Sequence, residues 1–257
     1  MGLFGKVFEK KECSICGGEI GLLGNRKLED GNMCKSCAAK LSPFFSDRRS
    51  STVAEIKEQL EYREANKDAV KAFHTTRTLG ENTKLLLDED AKKFMVTRAR
   101  NLEEANPDVI SYSDVTGVEF KIDEDKSEEK REDKDGNRVS YNPPKFIFEY
   151  DFHITIHVNN PYFDTISFQL NPSSVQINED NPLPINQKPN ERQNREFIQY
   201  EKMGNEIKNI LTVARQDARH DREAAAAPKT PVVCPLCGAT TIPTPAGTCE
   251  YCGGPVK

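Results

Sequence analysis

Apolar and polar residues alternate along one long stretch of this chain. Phe146, Phe148, Tyr150, Phe152, Ile154, Ile156 and Val158 are apolar, and most of the residues between them are polar. A period of two over thirteen residues predicts a long β-strand with one buried face. Asn159-Asn160-Pro161 then turns the chain, and Ile166, Phe168 and Leu170 repeat the period in a return strand. Upstream, LLLDEDAKKFMV reads as two short strands around an acidic turn, and Val118, Phe120 and Ile122 alternate within VISYSDVTGVEFKI. The run DEDKSEEKREDKD lies between these strands, with eight acidic, four basic and no apolar residues. It has nothing to bury, which predicts a solvated loop.

Elsewhere the period changes to three and four. Phe197, Tyr200, Gly204, Ile207, Leu211 and Ala214 form one helical stripe, with Gly204 placed for close approach to a sheet. An earlier helix begins at Thr52, where Glu55 three residues on completes a capping box. Its stripe of Val53, Ile56 and Leu60 fades into Arg63, Glu64 and Lys67, which predicts a connector packed only at its ends. After Arg215, RQDARHDREAAAAPKTP is charged, then Ala-rich, then Pro-containing, and reads as a flexible tether. These elements divide the chain into a module at 1–50, a connector helix at 51–79, a β domain with a C-terminal helix at 80–218, a linker at 219–230 and a last module at 231–257.

Composition places the protein among soluble chains: 36% of residues are apolar, 30% are charged, and there is no Trp. No run approaches the length of a spanning helix. The start, MGLFGKVFEKKE, lacks the apolar core of a signal peptide, and Lys6 stands where myristoylation wants Ser or Thr. The expected location is the cytoplasm. Thiols persist in such a reducing compartment, so its cysteines are more suited to metal than to disulfides.

All eight cysteines fall in four C-x-x-C pairs. Cys13 and Cys16 precede Cys34 and Cys37 by seventeen residues, and Cys234 and Cys237 precede Cys249 and Cys252 by eleven. Such spacings suit two tetrahedral four-thiolate sites, hence two zinc ions. Iron in a rubredoxin-like site takes the same ligands. A redox C-x-x-C would want one pair in a βαβ context, and a catalytic zinc would need an open position; neither is present. Each filled site carries −2, so the formal charge falls from −5 to −9. In the first fifty residues, nine Lys or Arg against six Asp or Glu give +3, which zinc reduces to +1. Nucleic acid is a poor partner for such a chain.

Other candidates carry less. His153 and His157 share the polar face of the long strand, yet four residues of strand separate them by about 13 Å, too far for one ion. His74 and His220 lie in helical or linker stretches. Arg48 and Arg49 before Ser50 could contact an anion, but a solvated helix lead-in explains them as well. The absence of a phosphate loop, a nucleophile elbow or a spaced carboxylate pair leaves no catalytic residues to name and no enzyme to expect.

Cys13 to Cys37 reads as knuckle, hairpin (with EDGN at its turn) and a helix whose first turn supplies Cys34 and Cys37, the treble-clef arrangement, in which the helix dipole favours their thiolates. CxxCG, GLLGNRKL, DG, CxxC and KLSP in this order resemble a bacterial family of N-terminal zinc-binding domains of unknown function over roughly residues 12 to 60. The resemblance implies metal at Cys13, Cys16, Cys34 and Cys37 and no particular reaction. Antiparallel strands followed by one amphipathic helix, together with ISYSDVTGVEF, resemble a pleckstrin-homology-like domain, with a lipocalin-like barrel or another α+β sheet as alternatives. The whole is then an α+β multidomain chain: treble-clef-like module, pleckstrin-homology-like β domain and C-terminal zinc ribbon. The expected function is a non-catalytic adaptor binding a protein or peptide. Membrane lipid at the middle domain is the alternative, and nucleic acid at the zinc modules comes third.

Overall fold

The computed structural model describes residues 11–178, 188–226, 231–244 and 247–256. The signal-peptide and myristoylation readings lie outside them. The fold is mixed α+β with antiparallel sheets, in two compact units, 1–215 and 216–257.

The first unit opens with short hairpins: β1 (Lys11–Glu12) pairs with β2 (Glu19–Ile20), and β3 (Arg26–Lys27) with β4 (Asn32–Met33). The one-turn helix α1 (Lys35–Ala38) follows. Helix α2 (Val53–Ala72) begins at the predicted capping box: the Glu55 N–H donates to Thr52 Oγ1, and the Glu55 carboxylate accepts the Thr52 N–H. Asp30 also accepts the Val53 N–H at 2.7 Å, which ties the second hairpin to the start of this helix.

Two four-stranded sheets come next. One has the order β5 (Arg77–Leu79), β6 (Lys84–Asp88), β7 (Lys93–Thr97), β8 (Ile110–Ser111), with the short helix α3 (Leu102–Ala105) between the last two. The other is built on β10 (Arg138–Val158), the strand with the long alternation. β9 (Val115–Glu132) runs along one edge of β10, while β11 (Thr165–Gln169) and β12 (Val175–Asn178) lie end to end along the other. Helix α4 (Arg195–Ala226) packs Phe197, Tyr200, Ile207 and Leu211 into the core, against Phe152, Ile154 and Ile156 of β10 and Leu85, Leu87 and Phe94 of the first sheet. The Phe152 ring meets Phe197 at 5.2 Å and Tyr200 at 5.6 Å.

Three expectations need correction. The acidic run 123–135 is not a loop: β9 continues through it to Glu132 before a turn at Asp133 to Asn137. Such residues cannot form a core, but β10 offers them a full ladder of backbone partners, with Glu129 opposite Lys145 and Lys126 opposite Phe148. The Lys126 ammonium sits 4.1 Å from the Phe146 ring centroid. Helix α2 is not packed only at its ends, since Ile56, Gln59, Arg63, Asn66 and Val70 are buried along its length. The segment 219–226, read as flexible linker, is helical as the end of α4; Ala has the highest helix propensity, and the last three residues of the helix are Ala. Residues 227–230 lie outside the described residues.

Candidate metal centres

In each centre the backbone places the sulfurs before any metal is considered. After Cys13 the chain makes a knuckle: the Gly17 N–H donates to Cys13 O at 2.8 Å and the Cys13 N–H to Gly18 O at 2.9 Å. Gly17 has φ +72°, a left-handed conformation that favours glycine. The same turn occurs twice in the second centre. Gly238 donates to Cys234 O and Gly253 to Cys249 O, each at 2.9 Å. Cys34 and Cys37 instead sit at the start of α1, where Cys34 is the N-cap and its sulfur accepts the Cys37 N–H at 3.4 Å. The first centre therefore joins one knuckle to one helix start, and the second joins two knuckles.

None of the eight cysteines is in a disulfide, and they gather into two groups: Cys13, Cys16, Cys34 and Cys37, and Cys234, Cys237, Cys249 and Cys252. Within each group the sulfurs lie within 4.8 Å of one another. The separations Cys16 to Cys34, Cys234 to Cys252 and Cys237 to Cys249 are 3.9, 3.6 and 3.7 Å. Four sulfurs at about 2.3 Å from a tetrahedral zinc are about 3.8 Å apart, whereas a disulfide needs about 2.05 Å. Each group can hold a zinc ion.

Electrostatics agrees with geometry. The Ser36 hydroxyl, 3.1 Å away, and the Cys37 N–H bring the Cys34 thiol down to about 6, while burial and the neighbouring sulfurs push Cys37 up. In the second centre burial opposes ionisation of Cys249, but the Cys252 and Tyr251 N–H groups prevail and bring it to about 6. The Ala239 N–H favours the Cys237 thiolate, yet Cys252 and Cys234 outweigh it and take Cys237 up to about 12. One site cannot carry four thiolate charges unaided, and a divalent cation removes the conflict.

The scaffolding differs between the centres. The first packs Cys13 and Cys37 with Ile20, Leu28, Met33, Leu41 and Ile56 of α2. Among the described residues, the apolar core of the second is no more than Cys234, Cys249 and Val256, with Val232 against them.

Among the described residues, no histidine joins either cysteine group. His153 and His157 lie on the exposed sheet face near Asp123 and Glu119, at 3.7 and 3.3 Å. His220 is exposed on α4. His74 follows α2, its N–H donating to Asp88 at 2.9 Å. Arg48 donates to Lys27 O at 2.6 Å, and Arg49 is exposed.

Sequence reading missed a buried polar cluster joining α2 to the loop before β8. Arg63, expected in solvent, donates to Asp108 at 2.7 Å, to Lys40 O and to Asn106 O. Asp108 also accepts the Ser42 hydroxyl at 2.8 Å, and Asn66 donates to Asn106. The signal was present, since Ile56, Gln59, Arg63, Asn66 and Val70 continue a spacing of three and four, but polar residues carry it.

Residues 11–59 match the model of a family described as a domain of unknown function, DUF4428. No curated protein and no solved structure matches the chain. Among the described residues, no helix is long and apolar enough to cross a membrane.

Proposed function

We propose that this chain is a non-catalytic zinc-binding adaptor of the cytoplasm that holds a protein or peptide partner. The carrying observation lies in the second centre. The residue before the second cysteine of each knuckle is Leu236 in one and Tyr251 in the other, and these are 69% and 72% exposed. The equivalent Ile15 of the first centre packs against its own module. Large apolar groups presented by a small metal-held scaffold suit a protein interface, where Tyr anchors are enriched. Four thiolates fill a tetrahedral shell, which supports a structural rather than catalytic metal.

The finer architecture belongs to the same reading. One knuckle and one helix start support a treble-clef-like first module; two knuckles support a ribbon for the second. Two antiparallel sheets followed by α4 support a pleckstrin-homology-like middle domain. Lipid binding by that domain is the weaker alternative, because its longest ribbon carries the acidic run of β9.

A pull-down from native cytosol with the zinc-loaded chain tests the proposal. The wild type should retain a discrete partner that Leu236→Ser/Tyr251→Ser loses while keeping both metals, and elemental analysis should find zinc rather than iron. Equal retention by both proteins would remove the ribbon from the interface.

A further inference from the structure

We propose that the first zinc module docks on an anionic lipid surface through the turn Gly21 to Gly24 and the cationic cleft beside it. The Gly24 N–H donates to Gly21 O at 2.9 Å, which closes a tight turn with Leu22 and Leu23 at its two corners. Corner positions ordinarily take Gly, Pro, Asn, Asp or Ser. Here Leu22 and Leu23 are 80% and 89% exposed, the two most exposed large apolar side chains among the described residues. They belong to no core.

Cations stand immediately behind them. Arg26 Nη1 lies 3.4 Å from Leu23 O and 3.3 Å from Asn25 O, so its guanidinium is held at the base of the turn. Arg48 is anchored on Lys27 O, and with Arg26, Lys27 and Arg49 it lines a cleft of ≈ 780 Å³ in which Glu29 supplies the lone carboxylate. Among the described residues, none of the four cations is paired with a carboxylate. Burial and the charges of Arg49 and Arg26 lower the Arg48 guanidinium, as expected where cations crowd without a counter-ion.

The shape selects the occupant. A protein pocket would grip an apolar anchor surrounded by further contact surface, but this tip is convex, flanked by two glycines and shouldered by charge. An apolar point above a cationic collar matches a surface that is anionic outside and hydrocarbon within. The local charge is what such a surface meets first, because the acidic remainder is screened beyond about 8 Å at physiological salt.

Co-sedimentation of the zinc-loaded full chain tests this, using phosphatidylcholine vesicles and vesicles of equal parts phosphatidylcholine and phosphatidylglycerol. Binding to the anionic vesicles should be at least about tenfold tighter. Leu22→Ser/Leu23→Ser and Lys27→Glu/Arg49→Glu, all at exposed or tip positions, should each lose about tenfold with unchanged zinc content. The chain has no Trp, so Leu23→Trp is a clean reporter, and its emission should rise and shift to the blue with anionic vesicles only. It decides the matter alone if a serine variant loses metal. Three results would overturn the proposal: no preference for anionic vesicles, serine variants that bind as well as wild type, or capture of polyglutamate with no capture of vesicles. The partner of the ribbon is a separate question, since this test reads lipid alone.

Discussion

A methyl group on Gly204 has no room. A Cβ built there would lie 2.1 to 2.5 Å from three atoms of the Phe120 ring. In an open helix Gly→Ala gains up to about 1 kcal/mol, whereas forcing extra volume into packed surroundings costs about 1 to 3 kcal/mol. Overpacking wins, so Gly204→Ala should lower stability in denaturant unfolding despite the better helix former. The Arg63 and Asp108 pair poses an opposite problem, with two charges 5% and 0% exposed and 2.7 Å apart. Burial raises the Asp108 carboxyl above its ordinary value, against the pull of Arg63. Its protonated form is therefore favoured on folding. That contribution is full below the unfolded value and lost as pH rises through the folded one, so at neutral pH Arg63 offsets a desolvation cost. Asp108→Ala should cost about 3 to 5 kcal/mol by stranding the guanidinium, and Arg63→Met/Asp108→Leu should cost much less than the single changes summed. Asp108→Asn should flatten the fall of stability with pH just above the ordinary carboxylate range, which urea titrations across that range would register.

Elements were legible where one kind of evidence sufficed. The alternation of β10, the stripe of α4 and the box at Thr52 each carry their own signal, and the paired cysteines needed only their spacing. What was not legible depended on a partner. β9 is charged through Glu132 and reads as a loop alone; it is a strand because β10 lies beside it. Arg63 and Asn66 look solvated until the loop bearing Asn106 and Asp108 covers them. Leu22 and Leu23 are apolar letters whose exposure depends on the turn that projects them. For α2 the local signal is also the energetic one. Removing the Thr52 hydroxyl should cost the first unit about 1 kcal/mol, since it accepts the Glu55 N–H and an alanine leaves that donor to water. Asp30 still accepts the Val53 N–H, so Thr52→Asp should restore most of the loss in thermal unfolding.

At the scale of the molecule, the two metal centres should fail differently. The ribbon unit buries little besides Cys234, Cys249 and Val256, and structural zinc supplies on the order of 10 kcal/mol to small peptides of this kind. Without metal nothing comparable remains to order residues 231–244 and 247–256. Cys249→Ser should therefore deprotect their amides in hydrogen exchange and leave the thermal transition of the first unit in place. The first centre shares its core with Ile56 on α2, and α2 in turn carries Arg63 to Asp108 and sets the Tyr62 ring, tilted by 52°, 5.1 Å from that of Tyr162. Phe44, just past that centre, meets Phe163 at 5.4 Å. Cys34→Ser should then loosen 11–60 and also lower the stability of the sheets, because α2 loses its footing at one end of a buried network that reaches the loop before β8. Exchange rates on β10 discriminate between these outcomes. Loss of its protection in Cys34→Ser and retention in Cys249→Ser is the expected pattern. Equal loss in both would mean that the two units fold as one, and loss in neither would mean that the Arg63 network holds α2 without help from the metal.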